Sequence, residues 1–156
     1  MKSGSFYFWA CSLSGLLSGT PVSILDKPLH LGTPGVPEWR GFAGKSPFGM
    51  NHKHAFQAKA FEGPGTLLIW QDDVKSGAWQ IRLNGKRLGR LFIYESKVIH
   101  RLDVPAGTIK DGENILEILG PKMIDDVILS RAVLHPGTAE DLLGGASLEV
   151  SIVEDG

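Results

Sequence analysis

Trp79-Gln80-Ile81-Arg82-Leu83-Asn84-Gly85-Lys86-Arg87-Leu88-Gly89 decides the fold. Trp79, Ile81 and Leu83 alternate with Gln80, Arg82 and Asn84. A period of two gives a strand with one face buried and one face wet. Asn84-Gly85 then supplies two residues that tolerate positive φ, as a two-residue type I′ turn requires. Lys86 to Leu91 is expected to return as the partner strand, with Phe92 to Tyr94 continuing it. This is antiparallel β.

The same signals recur on both sides of the hairpin. His52, His54, Phe56, Ala58 and Ala60 share one phase, and Gly63-Pro64-Gly65 ends that strand. Leu67-Leu68-Ile69-Trp70 is a short apolar run, which at this length reads as a central strand. Asp72 to Ala78 is a polar loop. Downstream, Val98 to Val104, Ile115 to Leu119 and Val127 to Leu134 are strands, separated by Pro105-Ala106-Gly107 and Gly120-Pro121. Leu148, Val150 and Ile152 alternate towards the end. Thr138 is placed to N-cap one helical turn up to Leu143. Asn114, in phase with Leu116 and Ile118, points inward and can bond the turn at Asp111-Gly112. Short strands at turn-punctuated spacing make a sandwich or barrel.

Composition bounds the rest. The chain has 156 residues, 42% apolar and 21% charged, which fits one domain with a sizeable core. Sixteen basic against 17 acidic residues give a net charge of −1. That excludes a general nucleic-acid binder, which needs a basic surplus. Cys11 is the sole cysteine, so there is no internal disulfide and no thiolate cage. Lys2, the apolar run Phe6 to Leu17 and the small residues Ser18, Gly19 and Thr20 have a secretory-signal layout; the alternative is a first strand, Phe6 to Cys11. That run is shorter than the roughly 20 residues of a membrane helix, so no span is expected. The expected organisation is 1–20 as signal or first strand, 21–36 as an extended lead-in with a short edge strand at Pro28 to Leu31, and 37–145 as the sandwich. Residues 146–156 are its last strand or the start of a following domain cut short.

Trp79 to Leu91, Leu102 to Pro105, Asp111-Gly112-Glu113-Asn114-Ile115-Leu116-Glu117-Ile118 and Asp125-Asp126-Val127 together resemble the galactose-binding-domain-like family. More narrowly, the chain looks like the N-terminal sandwich of secreted bacterial hydrolases of the PHP metallo-phosphoesterase kind. The resemblance implies an all-β antiparallel jelly-roll sandwich in a secreted or periplasmic setting. It also implies a non-catalytic accessory role beside the adjacent domains of a larger chain, with sugar binding through end loops as the alternative. A structural Ca²⁺ is implied by the family alone.

The residues offer several constellations. Trp39, Asp72, Asp73, Lys75 and His100 form the expected glycan set: an aromatic face, acceptors and a donor in loops at one sandwich end. Trp70 and Trp79 read as core. His52 and His54 lie on one strand face, roughly 7 Å apart, and could begin a metal site with His100 or Asp72. Asp72-Asp73 and Asp125-Asp126 could offer oxygens to Ca²⁺, although capping turns is the commoner use of such pairs. Asp141, His135 and Ser147 lack the strand-turn-helix setting of a nucleophile, so no catalytic residue is expected.

Overall fold

The computed structural model describes residues 19–33, 47–123 and 125–143. Trp39, Ser147 and most of the expected signal lie outside the described residues, as does the 146–156 segment. The strands are β1 Val22–Leu25, β2 Leu29–Gly32, β3 Asn51–Ala58, β4 Gly65–Asp72, β5 Gln80–Leu83, β6 Lys86–Arg90, β7 Val98–Val104, β8 Gly112–Leu119 and β9 Asp126–Pro136. One helical turn follows, α1 Ala139–Leu142, capped by Thr138 in a reciprocal capping box with Asp141.

Two antiparallel sheets face each other. One has the order β1-β9-β4-β7, with β2 also on β9; the other is β3-β8-β5-β6. From β2 onward the chain alternates between sheets except at the β5–β6 hairpin, which is the strand order of a jelly roll. The fold is an all-β jelly-roll sandwich.

The hairpin turns as its sequence requires: Asn84 has φ 50° and Gly85 has φ 78°. It is also fixed to β8. The Asn84 backbone N–H donates to Ile115 O at 2.9 Å, and Asn84 Oδ1 accepts from Ile115 N at 2.8 Å. Trp79, Ile81, Leu83, Leu116 and Ile118 are fully buried, with Leu102 and Val104 beside them. Gly89 lies where an added Cβ would come within 2.7 Å of Leu102, so the two sheets approach closely there.

Three features differ from the sequence reading. The lead-in supplies the expected short strand, as β2, and also a second one, β1; both belong to the sandwich, because they lie end to end along β9, with Val22 opposite Leu134 and Leu29 opposite Leu129. The return strand stops at Arg90; Phe92 to Tyr94 leave the β5 ladder and are held by the other sheet. Trp70 is not core. Leu67, Ile69 and Gln71 take the inward phase of β4, so a period of two sends Trp70 to the outer sheet face, where it is half-buried.

Candidate functional site

The end of β4 and the loop after it hold the expected acidic set, but as structure. Asp72 and Asp73 are both buried. Asp73 has φ 55°, a left-handed conformation that Asp tolerates because its short side chain bonds locally. Lys75 Nζ lies 3.1 Å from Asp73 Oδ2 and 3.9 Å from Asp126 Oδ1. The far oxygen of Asp126 meets buried His30 Nε2 at 3.1 Å. Asp125 Oδ2 accepts from the Trp79 indole N–H at 2.9 Å, giving that buried ring the polar partner it needs, and Asp125 Oδ1 accepts from Asp126 N. Gly32 permits the approach, since a Cβ there would stand 2.5 Å from Asp126 Cβ. These carboxylates lock one end of the sandwich. Asp72 and Asp73 are therefore not exposed sugar acceptors, and Lys75 is engaged with Asp73.

The metal candidates do not converge. His52 and His54 share a face as expected, with ring centroids 6.1 Å apart. Burial, and then the neighbouring His54, hold the His52 pKa below its ordinary 6.5. Among the described residues no three His, Cys, Asp or Glu side chains group as a metal site. His100 lies elsewhere, stacked on Phe92. Asp141 is committed to Thr138, whose backbone N–H and then hydroxyl hold its pKa down.

His100 leads to a feature the sequence reading missed. Phe92 stacks on His100 with centroids 6.1 Å apart and planes at 22°. Tyr94 lies 6.3 Å from Phe92 at 32°. Phe92 is 53% exposed and Tyr94 50%. Three rings thus form one shelf along the edge where β6 and β7 meet. The shelf is rigid for identifiable reasons. The Gln71 side chain, inward on β4, acts as a false strand: its amide donates to Phe92 O and its oxygen accepts from Phe92 N at 3.1 Å. Val74 and Tyr94 exchange two backbone bonds, at 3.0 and 2.9 Å. The loop carrying Asp73 and Lys75 is thereby tied to the shelf. His100 Nε2 is 3.0 Å from Arg90 O. Burial lowers the His100 pKa and its bond to Arg90 offsets part of that shift, favouring a neutral ring. Phe92 and Tyr94 are thus neighbouring aromatics held half-exposed by bonds from Gln71 and Val74. The run Phe92-Ile93-Tyr94 could have signalled this, since it sets three large apolar side chains in a row past the end of β6, all of them exposed.

A cleft of about 850 Å³ opens at the opposite edge, between Pro21 and the start of β1, Val22 and Ser23, and the end of β3, Ala58, with Phe61 beyond it. Its lining is mostly aliphatic, with Lys59 its one charged group and no stacked rings.

No family model matches the sequence, and no curated protein matches it. Among solved structures, the chain is similar to the CBM36-1 domain of a multidomain xylanase from the hindgut metagenome of Trinervitermes trinervoides, with TM-score 0.48 and 13% identity over 77% of this chain and 98% of that one. It is also similar to a family 35 carbohydrate binding module from Clostridium thermocellum, with TM-score 0.44 and 11% identity over 74% of this chain and 98% of that one.

Proposed function

We propose that this chain is a non-catalytic carbohydrate-binding module whose contact surface is the Phe92, Tyr94 and His100 shelf. The observation that carries the reading is the pair of half-exposed rings whose backbone is clamped by Gln71 and Val74. Flat, preorganised aromatic area stacks on the apolar face of a sugar ring at little entropic cost. The polar group beside these rings is the His100 imidazole, which would orient a sugar stacked on them. In a secreted multidomain hydrolase, such a module would keep a neighbouring catalytic domain on its polymer.

A glycan array followed by calorimetry tests this. The wild type should bind at least one glycan class, and the Phe92→Ala, Tyr94→Ala double variant should bind at least about tenfold more weakly. Its melting temperature should stay within a few degrees, because both rings are half-exposed. Unchanged affinity in that variant refutes the shelf. Absence of binding at millimolar concentration refutes the function.

A further inference from the structure

The outer face of the β1-β9-β4-β7 sheet carries a second arrangement, distinct from the shelf. Trp70 is opposite Ile99 on β7 and Arg131 on β9. The ladder then slips: Gln71 pairs with Leu129, leaving Ser130 extra. Ser130 and Arg131 are both exposed as a result. Bulges of this kind re-aim side chains, and here the Arg131 guanidinium carbon stands 5.1 Å from the centroid of the Trp70 ring. A hollow of about 150 Å³ opens beside it, lined by Trp70, Gln71, Lys97, Val98, Ile99 and Ser130. The lining contains an ammonium, a hydroxyl, an indole wall and no carboxylate. Among the described residues, neither Arg131 nor Lys97 is in an ion pair. The chain as a whole has net charge −1, so this local cationic excess is not a consequence of composition.

A guanidinium stacked on an indole is weakly hydrated and loses little freedom when it forms a bidentate bond, and a planar carboxylate matches its fork. The hollow is smaller than the 300–1,000 Å³ or so of a typical ligand pocket. It suits one charged ring substituent, with the remainder of the saccharide lying along the sheet face. We propose that this hollow is a second saccharide site, selective for a carboxylated sugar of the uronate class. Arg131, stacked on Trp70, takes the carboxylate, Lys97 adds charge, and Ser130 supplies a hydroxyl beside the Trp70 wall. The inference rests on the glycan-binding reading for its ligand class but uses none of the shelf residues.

The test is calorimetry with indole NMR, using oligogalacturonate, its neutral methyl ester and a sulfated galactan oligosaccharide. Oligogalacturonate should bind at least about tenfold more tightly than the ester, shift the Trp70 indole signal, and weaken with added salt. Arg131→Gln should abolish that preference and Arg131→Lys should not restore it, while the Phe92→Ala, Tyr94→Ala variant should keep it. Equal binding of acid and ester overturns the inference, as does wild-type affinity in Arg131→Gln or a preference for the sulfated ligand. If neutral glycans bind at the shelf without any uronate preference, this inference fails and the shelf reading stands. If no glycan binds, both fail.

Discussion

Replacing Asn114 by Ala should be among the most damaging single changes outside the apolar core. Asn114 is fully buried. Its Oδ1 accepts from Asn84 Nδ2 at 2.7 Å and from Lys110 N at 3.0 Å. Its Nδ2 donates to Lys110 O and Gly112 O, both at 2.9 Å. The amide's full bonding capacity is therefore used, and Ala strands four partners. At roughly 0.5–1.5 kcal/mol net per neutral bond, plus desolvation of orphaned groups, the loss is about 3–5 kcal/mol. That is a large share of the roughly 5–15 kcal/mol that holds a typical domain. At about 2–4 °C per kcal/mol for a chain of this size, the melting temperature should fall by roughly 10 °C. Urea denaturation followed by tryptophan fluorescence measures it. Asn114→Asp is the sharper companion, because it preserves shape but sets a carboxylate oxygen against two carbonyls; it should be at least as destabilising at neutral pH. A loss below about 0.5 kcal/mol for Asn114→Ala would refute the reasoning.

Leu83→Ala should cost about 2–5 kcal/mol by chemical denaturation, since the side chain is fully buried between the sheets. Gly85→Val should destabilise by about 1–2 kcal/mol purely through its positive φ, because an added Cβ at that turn meets nothing within 4 Å; a wild-type urea midpoint would show that the turn relaxes freely. Burial first holds the pKa values of His52, His100 and His135 below the ordinary 6.5. The unfolded chain therefore takes up protons first on acidification. The associated stability is complete above about pH 6.5 and is lost as pH falls through the lowered folded values. Urea midpoints should drop between pH 7.5 and 5.5, less so in His52→Gln, and a flat profile contradicts this.

The fold was legible wherever a local rule had one solution. Asn84-Gly85 has one tight turn to make, and Trp79, Ile81 and Leu83 have one face to bury. Asn114 was readable as an inward amide because its phase matched Leu116 and Ile118. Trp70 was not, because a continuous apolar run does not tell which residues face the opposing sheet. Only the position of β4 between β9 and β7 decides that. Asp72 and Asp73 read as solvated loop acids because what surrounds them, β9 alongside Asp72 and the His30–Asp126 pair beyond Lys75, is remote in sequence. The aromatic shelf was hidden for the same reason: Gln71 takes Phe92 out of the hairpin, and no local rule links residues 71 and 92.

β9 has a consequence for how the chain reaches this state. Among the described residues β1 and β2 pair with β9 alone, so Val22 waits for Leu134 and Leu29 for Leu129, and β3 pairs with β8 alone. By contrast, β5 and β6 can close within microseconds as a local hairpin. During synthesis, Ile24, Leu25, Leu29 and Leu31 therefore leave the ribosome long before the strand that covers them exists. Contacts at such separation slow folding and leave unpaired edges exposed to association. A nascent chain halted before Asp126 should stay protease-sensitive at β1 and β2 while the hairpin is already protected. The last-made long strand, not the first-formed turn, sets when this sandwich becomes safe from its own apolar strands.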